Sequence, residues 1–267
     1  MSMYFDFYGL NTPPFNITSD PQFFFEGSSH KEALAVLSYG IQEKKGIILV
    51  TGEVGTGKTT LCRMLLGRLP AQVKTSLILN PYFSDVQLLQ AIVEDFGLNP
   101  QKRSRLELVK KLNAFLLEVS VAGGNAVLII DEAQDLNARQ LEQVRLLSNL
   151  ETATSKLLQI VLVGQPELGE KLHKFNLRQI YQRILVKHNL YPLNESEVKD
   201  YIQFRLSRAG SPGITILPES FKLIYEFSKG TPRLINVLCD RALLCGFVRE
   251  KRVFDEEIFK ACIEELK

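Results

Sequence analysis

Short apolar runs alternate with longer amphipathic stretches over the first 190 residues of the chain. With the turn residues that bound them, these apolar runs predict strands at residues 47–51, 75–80, 126–130, 159–164 and 185–190, of which 47–51 and 126–130 are expected to be buried. Between them, apolar residues recur three and four positions apart, as they do on one face of a helix. Strands that alternate with helices are typical of an α/β fold with a parallel sheet.

The pattern changes at Pro192. Beyond it, helical spacing predicts about four helices and no further strand, with residues 210–213 as one connector. We therefore expect two domains, an α/β core over residues 1–191 and an all-helical domain over residues 192–267. The first thirty residues are rich in aromatic residues and turns, and we expect them to form an extended strap packed on the core.

Composition narrows the class of protein. A hydrophobic fraction of 45%, a charged fraction of 23% and a net charge of +2 are ordinary for a globular protein, and they favour no acidic or basic partner. No apolar run approaches the roughly 18 residues of a membrane span, and the first residues lack the pattern of a signal peptide. The four cysteines stand singly, which predicts buried thiols in a reducing cytoplasm.

The most informative motif, G-x-x-x-x-G-K-T, spans residues 52–59 between a predicted strand and a predicted helix. In that context the glycines allow backbone N–H groups to converge on phosphate at the positive end of the helix, which is the design of a P-loop. The residues expected to bind ATP or ADP are Glu53, Val54, Gly55, Thr56, Gly57, Lys58, Thr59 and Thr60. Lys58 is expected at the β- and γ-phosphates, and the Thr59 hydroxyl is expected to ligate Mg²⁺. The alternative is a chance glycine turn before an ordinary helix.

Two carboxylates follow the apolar run 126–130. Asp131 and Glu132 are thereby placed at the carboxyl edge of a buried parallel strand, where ligands of open α/β sheets bind. Asp131 is expected to hold Mg²⁺ through water, and Glu132 to polarise the water that attacks the γ-phosphate. The alternative is a pair of solvated acids before the predicted helix over residues 137–150.

Four further residues are candidates for contacts with the nucleotide. Gln165 directly follows the run 159–164 and is expected to sense the γ-phosphate. The alternative is a turn residue that only precedes Pro166. Arg178 and Arg183 would lie about 140° apart on one helix, so that one is expected to reach a neighbouring subunit's nucleotide while the other braces the core. Two ordinary surface arginines are the alternative. Arg233 is expected in the first turn of a helix, able to reach back to the phosphates.

Together these features resemble AAA+ ATPases, and more specifically the ExeA/GspA family of general secretion pathway ATPases. The resemblance runs over nearly the whole chain and is carried by residues 8–10, 13–15 and 20–21, by the predicted helix that begins at His30, and by residues 52–60, 131–134, 147–152, 158–168 and 230–236. It implies a P-loop core with a five-stranded parallel sheet of order 5-1-4-3-2, helices on both faces and a C-terminal helical lid.

The resemblance also implies roles for single residues. Lys58 and Thr59 match Walker A, Asp131 and Glu132 match Walker B, Gln165 falls at sensor 1 and Arg233 at sensor 2. Arg178 or Arg183 would be the arginine finger, supplied to a neighbour in a ring that is expected to be a hexamer. Asn80 stands where some AAA+ proteins have a residue that restrains the catalytic glutamate.

The function implied is Mg²⁺-dependent ATP hydrolysis in the cytoplasm that drives assembly of a secretion, pilus or envelope-export system. Larger members of that family continue into a membrane span and a peptidoglycan-binding part, which would associate such a protein with the inner membrane. Two alternatives stay open. One is a DNA-associated AAA+ regulator. It would need a basic surface to contact DNA, and in the sequence only Lys102, Arg103 and Arg105 could form the beginning of one. The other is a scaffold that binds ATP and barely hydrolyses it.

Overall fold

The computed structural model describes residues 4–101, 103–174, 177–210 and 213–266. Contacts between residues divide the chain into two compact units. The sheet unit comprises Glu32–Glu53 and Leu61–Leu190. The helical unit comprises the residues up to Lys31, the loop Val54–Thr60 and the chain from Tyr191 onward. The predicted division into a core over residues 1–191 and a lid over residues 192–267 stays a prediction.

The sheet unit is built on a five-stranded parallel sheet of order β2-β3-β4-β1-β5. The strands are β1 (Ile47–Gly52), β2 (Val73–Ile78), β3 (Asn125–Ile130), β4 (Gln159–Gly164) and β5 (Ile184–Leu190). This order is the predicted 5-1-4-3-2 counted from the opposite edge, so the predicted fold class is confirmed. Every residue of β1 and β4 is buried, as the continuous apolar runs require of central strands covered on both faces.

Helices cover both faces of this sheet. On one face, alternate residues of β1, β3 and β4 join a buried apolar cluster with α4 (Asp85–Asp95), α5 (Arg105–Val121) and α6 (Ala138–Leu147). On the other face, Gly40 of α2 (Ser28–Gln42) lies so close to Ile48 that an added Cβ would fall 2.6 Å from its Cδ1 atom. The remaining helices that contribute to this unit are α3 (Lys58–Arg68), α7 (Pro166–Leu172) and α8 (Arg178–Tyr181).

Strand β2 departs from the prediction of residues 75–80, because it begins at Val73 and ends at Ile78. It is an edge strand, and β3 pairs with it residue by residue from Val73 to Ile78, so it ends where β3 ends. Asn80 therefore lies in the loop beyond the strand, where its side-chain oxygen accepts a hydrogen bond from the backbone N–H of Tyr82 at 3.1 Å.

The helical unit contains four long helices beyond residue 191 in the part of the chain that the structure describes, which agrees with the predicted number. They are α9 (Glu195–Arg208), α10 (Pro218–Ser228), α11 (Pro232–Val248) and α12 (Glu256–Leu266). Two short parallel strands, β6 (Thr215–Ile216) and β7 (Val253–Phe254), were not predicted, because two residues are too few for any periodicity to show. Ser211 and Pro212 of the predicted connector lie outside the described residues.

The strap, residues 4–31, is only partly extended, since it contains the short helix α1 (Phe5–Tyr8) and a 3₁₀ turn at Pro21–Phe23. It contributes Tyr8, Phe15 and other aromatic residues to the apolar core of the helical unit. The Tyr8 hydroxyl donates to the Leu243 carbonyl at 2.9 Å, and burial raises the pKa of Tyr8 to about 12. Burial in the apolar core of the helical unit therefore explains why the strap is rich in aromatic residues.

Three of the four cysteines, Cys62, Cys239 and Cys262, are buried, Cys245 is partly buried, and all four are free thiols. Burial raises the pKa of Cys262 to about 12, which disfavours the reactive thiolate. Within the residues that the structure describes, no helix combines the length and the hydrophobicity needed to cross a membrane.

Candidate nucleotide site

The loop after β1 has the backbone of a phosphate-binding turn. Gly55 and Gly57 adopt φ values of +83° and +94°, a region that favours glycine because other residues are strained there. Helix α3 begins directly after them at Lys58, so the loop ends at a helix N-terminus with its partial positive charge. The Lys58 side chain is buried, with 6% of its surface exposed. A buried ammonium group at the start of this helix suits an anionic ligand.

Helix α11 begins against this loop. Thr231 is its N-cap residue and Pro232 its first residue, so Arg233 lies in the first turn as expected, although the Thr231 side chain makes no capping hydrogen bond. The backbone N–H of Arg233 donates to the Gly55 carbonyl at 3.2 Å, and a Cβ atom at Gly55 would fall 2.7 Å from the Cβ of Arg233. Arg233 is thereby brought to the loop, while its contact with phosphate stays a prediction.

His30, to which the sequence pattern assigns no role, also contacts the loop Val54–Thr60. Its Nε2 atom lies 2.9 Å from the Thr56 carbonyl oxygen, and the ring is buried. Because a carbonyl can only accept, Nε2 must carry the proton and donate. The Phe24 ring packs against His30 edge-on at 5.4 Å. A lone histidine on an amphipathic helix carries no signal for such a contact, since its partner is 26 residues away.

At the carboxyl end of β3, Asp131 is almost completely buried, with 1% of its surface exposed. Its carboxylate accepts a hydrogen bond from the backbone N–H of Glu132 at 2.9 Å. Glu132 itself adopts left-handed backbone angles of +50° and +38°, which cost a non-glycine residue about 1–3 kcal/mol. The alternative of two solvated acids does not describe Asp131. Helix α6 begins further on, capped by Asn137.

Gln134 joins Glu132 to the end of β4. Its side-chain Nε2 donates to Glu132 Oε2 at 2.8 Å, and its Oε1 accepts from the backbone N–H of Gln165 at 3.0 Å. The donor at Gln165 fixes the orientation of the amide, because only the oxygen can face it. Gln134 falls within the stretch 131–134 that carries the family resemblance, but nothing in the sequence pattern assigns it a role. The only feature of the sequence that could have indicated this contact is that Gln134 lies two positions after Glu132.

The two arginine candidates do not share a helix. Helix α8 covers only Arg178–Tyr181, so Arg183 lies beyond it and the predicted separation of about 140° is wrong. Arg178 is exposed, whereas Arg183 is half-buried and donates a hydrogen bond to the Asn149 side chain. The Arg145 side chain chiefly lowers the pKa of Glu142, and the charge of Arg183 lowers it further.

The structure groups the predicted residues by unit. The loop Val54–Thr60 and Arg233 belong to the helical unit, while Glu53, Asp131, Glu132, Gln165 and the two arginines belong to the sheet unit. Within the sheet unit, strands β1 and β3 are parallel and end at the same edge, where Glu53 directly follows the first strand and Asp131 and Glu132 directly follow the second. The chemical roles of all these residues remain predictions.

Comparison with known proteins agrees with this architecture. The model of the AAA domain family matches residues 41–172. General secretion pathway protein A of Aeromonas hydrophila is 46% identical over 248 residues, which cover 92% of this chain and 45% of that protein. The chain therefore spans less than half the length of this relative.

Two solved structures share the fold. Cdc6p from Pyrobaculum aerophilum superposes with a TM-score of 0.68 at 15% identity, covering 89% of this chain and 67% of the other. The Aeropyrum pernix ORC2 protein, solved as ADPNP–ADP complexes, superposes with a TM-score of 0.66 at 18% identity, covering 88% and 66%. At such low identity these structures support the fold alone. The AAA domain match and the relative of 46% identity, rather than these structures, bear out the expected resemblance: the chain is an AAA+ protein related to general secretion pathway protein A.

Proposed function

We propose that this protein binds ATP and hydrolyses it to ADP and phosphate, and that hydrolysis drives assembly of a secretion, pilus or envelope-export system. The observation that carries the proposal is the loop between β1 and α3, with two left-handed glycines and a helix that begins at the buried Lys58. Backbone N–H groups in such a loop bind phosphate oxygens, and the lysine neutralises part of their charge.

Mg²⁺ fits the residues assigned to it by their chemistry. A threonine hydroxyl at the second position of α3 and a buried carboxylate at the end of β3 are both hard oxygen donors, which Mg²⁺ prefers. Thr59 and Asp131 would hold the ion, which when bound supplies positive charge to the phosphates.

Glu132 acts on the attacking water in this proposal. Its carboxylate accepts a hydrogen bond from the water and draws off proton density as the bond to phosphorus forms. Gln165 and Arg233 contact the γ-phosphate, and Arg178 or Arg183 of a neighbouring subunit in a ring, most simply a hexamer, stabilises the charge of the transition state. The name of the 46% identical relative supports the secretion role. We place the protein in the cytoplasm, associated with the inner membrane through its partners.

The test replaces Lys58 by alanine and Glu132 by glutamine. Lys58→Ala is expected to abolish ATP binding, measured by calorimetry or with a fluorescent ATP analogue. Glu132→Gln is expected to retain ATP binding while turnover falls by about 100-fold or more, because water is no longer oriented by a carboxylate. Lys74→Ala and Glu43→Gln, both at exposed positions, are the matched controls. Wild-type affinity in Lys58→Ala would refute the phosphate assignment, and normal turnover in Glu132→Gln would refute the role of Glu132.

The two alternatives predict different outcomes. A nucleotide-gated scaffold binds ATP with no measurable turnover in the wild-type protein. A DNA-associated regulator binds duplex DNA with an affinity that falls steeply as salt rises. Arg103 and Arg105 are exposed, and Lys102 lies outside the described residues, so the structure adds nothing in favour of this second alternative.

A further inference from the structure

The Glu132 carboxylate needs support to hold one position. A glutamate side chain on a loop samples many rotamers, and freezing it costs about 1–2 kcal/mol of conformational entropy. The left-handed backbone of Glu132 sets the direction in which the side chain leaves the chain. Its Oε2 atom is then held by the hydrogen bond from Gln134 Nε2 at 2.8 Å.

Gln134 is itself held at several points. Its Oε1 accepts from the Gln165 N–H, and its backbone carbonyl accepts from Lys171 Nζ at 2.8 Å. Lys171 also binds the Leu136 carbonyl at 2.5 Å, so one side chain anchors the 3₁₀ turn Ala133–Asp135. A Cβ atom at Gly164 would fall 2.8 Å from Gln134 Oε1, so only glycine leaves room for this amide beside β4.

From these contacts we infer that Gln134 is a positioning residue for ATP hydrolysis, which fixes the Glu132 carboxylate relative to the end of β4. The inference rests on the proposed function. The two hydrogen bonds of one amide link the group that orients water to the backbone of the residue predicted to sense the γ-phosphate. A shift of the backbone at Gln165 is therefore transmitted to Glu132 through a single side chain.

This assignment differs from the one that the family resemblance implied. Asn80 stands where some AAA+ proteins have a residue that restrains the catalytic glutamate, and here its side chain accepts a hydrogen bond from the backbone N–H of Tyr82 in the loop after β2. Gln134 is the residue that contacts the carboxylate.

The kinetic test uses two substitutions that separate the two bonds. Gln134→Met removes both bonds at similar volume, and Gln134→Glu keeps the acceptor for Gln165 but loses the donor to Glu132. Both variants are expected to lower kcat by about 10- to 100-fold, the usual cost of removing a supporting hydrogen bond, while the Kd for ATP stays near wild type. Gln72→Met, at an exposed position, is the control.

Two outcomes of these kinetics would overturn the inference. Wild-type kcat in Gln134→Glu, together with a lowered Tm in Gln134→Met, would mean that the amide only braces the backbone at Gln165. Alternatively, a further loss when Gln134→Met is added to Glu132→Gln would mean that Gln134 acts elsewhere, because a residue that acts through Glu132 adds nothing once that carboxylate is gone.

A spectroscopic test needs no turnover. In nucleotide-free protein labelled with ¹⁵N-glutamine, the side-chain amide resonance of Gln134 is identified by its loss in Gln134→Met. It is expected to shift in Glu132→Ala, which removes its acceptor, and to stay in place in the control Glu43→Ala. An unshifted resonance in Glu132→Ala would overturn the inference. If instead the resonance shifts but Glu132→Gln hydrolyses ATP normally, the contact is real and it is the proposed role of Glu132 that fails.

Discussion

Arg205 of α9 shows how one side chain can hold a segment that is distant in sequence. The residue is buried, with 6% of its surface exposed. Its guanidinium donates to the carbonyl oxygens of Pro14 at 2.5 Å and Asn16 at 3.0 Å, and to the Tyr201 hydroxyl at 2.8 Å. The planar fork of an arginine suits several acceptors at once, which a lysine ammonium cannot match. We conclude that Arg205 secures the strap to the rest of the helical unit.

Replacing Arg205 by methionine removes these donors at similar length and leaves the buried Pro14 carbonyl without its partner. We expect the free energy of unfolding to fall by about 3 kcal/mol, the scale for losing hydrogen bonds to a charged group. Urea denaturation measures the change. Arg208→Met, at an exposed position of the same helix, is the control and is expected to stay within about 0.5 kcal/mol of wild type. Equal effects of the two substitutions would contradict this role of Arg205.

At the scale of elements, one carboxylate serves the beginnings of two helices. Glu197 completes the capping box of α9 by accepting from the Asn194 N–H at 3.0 Å, and it accepts from the Ser28 N–H of α2 at 2.6 Å. Burial alone would raise the pKa of Glu197, but the Ser28 and Asn194 N–H groups outweigh it and hold that pKa below its ordinary value. The ionised form is thus the one that stabilises the fold.

A carboxylate with a lowered pKa contributes stability above its unfolded-state pKa, and that stability is lost as the pH falls through the folded-state value. Glu197→Ala is therefore expected to lower the free energy of unfolding by about 1 kcal/mol at pH 7, the usual cost of a lost cap. The difference from wild type is expected to shrink progressively once the pH falls below the ordinary glutamate pKa of about 4.3 and through the lowered folded-state value. Urea titrations at several pH values measure it, with Glu195→Ala, exposed in the first turn of α9, as control. A difference that persists unchanged in acid would contradict the assignment.

At the scale of the whole molecule, the proposed activity depends on association of subunits. Arg178 is exposed on α8, and Arg183 is half-buried beside Asn149, so each offers a positive charge near the surface of the sheet unit. An arginine supplied by a neighbour stabilises charge on the transferring phosphoryl group only once subunits meet, and such a residue is worth about 10³-fold or more in rate.

We expect the ATPase rate per subunit to rise with protein concentration, in parallel with light scattering in the presence of ATP. Alanine at the true finger, Arg178 or Arg183, is expected to lower the rate by about 1,000-fold or more. Mixing that variant with Lys58→Ala is expected to restore activity, because the Lys58 variant supplies its intact arginine to a neighbour that still binds ATP. Failure of both arginine variants to recover would contradict action between subunits.

The sequence alone determined most strands and the loop motif, since these depend on local patterns. Apolar runs locate β1, β3 and β4 to within one residue, and the glycines at positions 55 and 57 specify the turn that α3 then closes. The family resemblance supplied the strand order 5-1-4-3-2, because strand order is a property of the fold rather than of any single run.

Only the tertiary structure decided which side chains meet. His30 reaches the Thr56 carbonyl 26 residues away, Gln134 reaches Gln165 across 31 residues, and Arg205 reaches Pro14 across 191. Periodicity reports which face of an element is buried, but the partner of a buried polar group depends on the packing of other elements. For the same reason β2 ends where its neighbour β3 ends, two residues before the apolar run suggests.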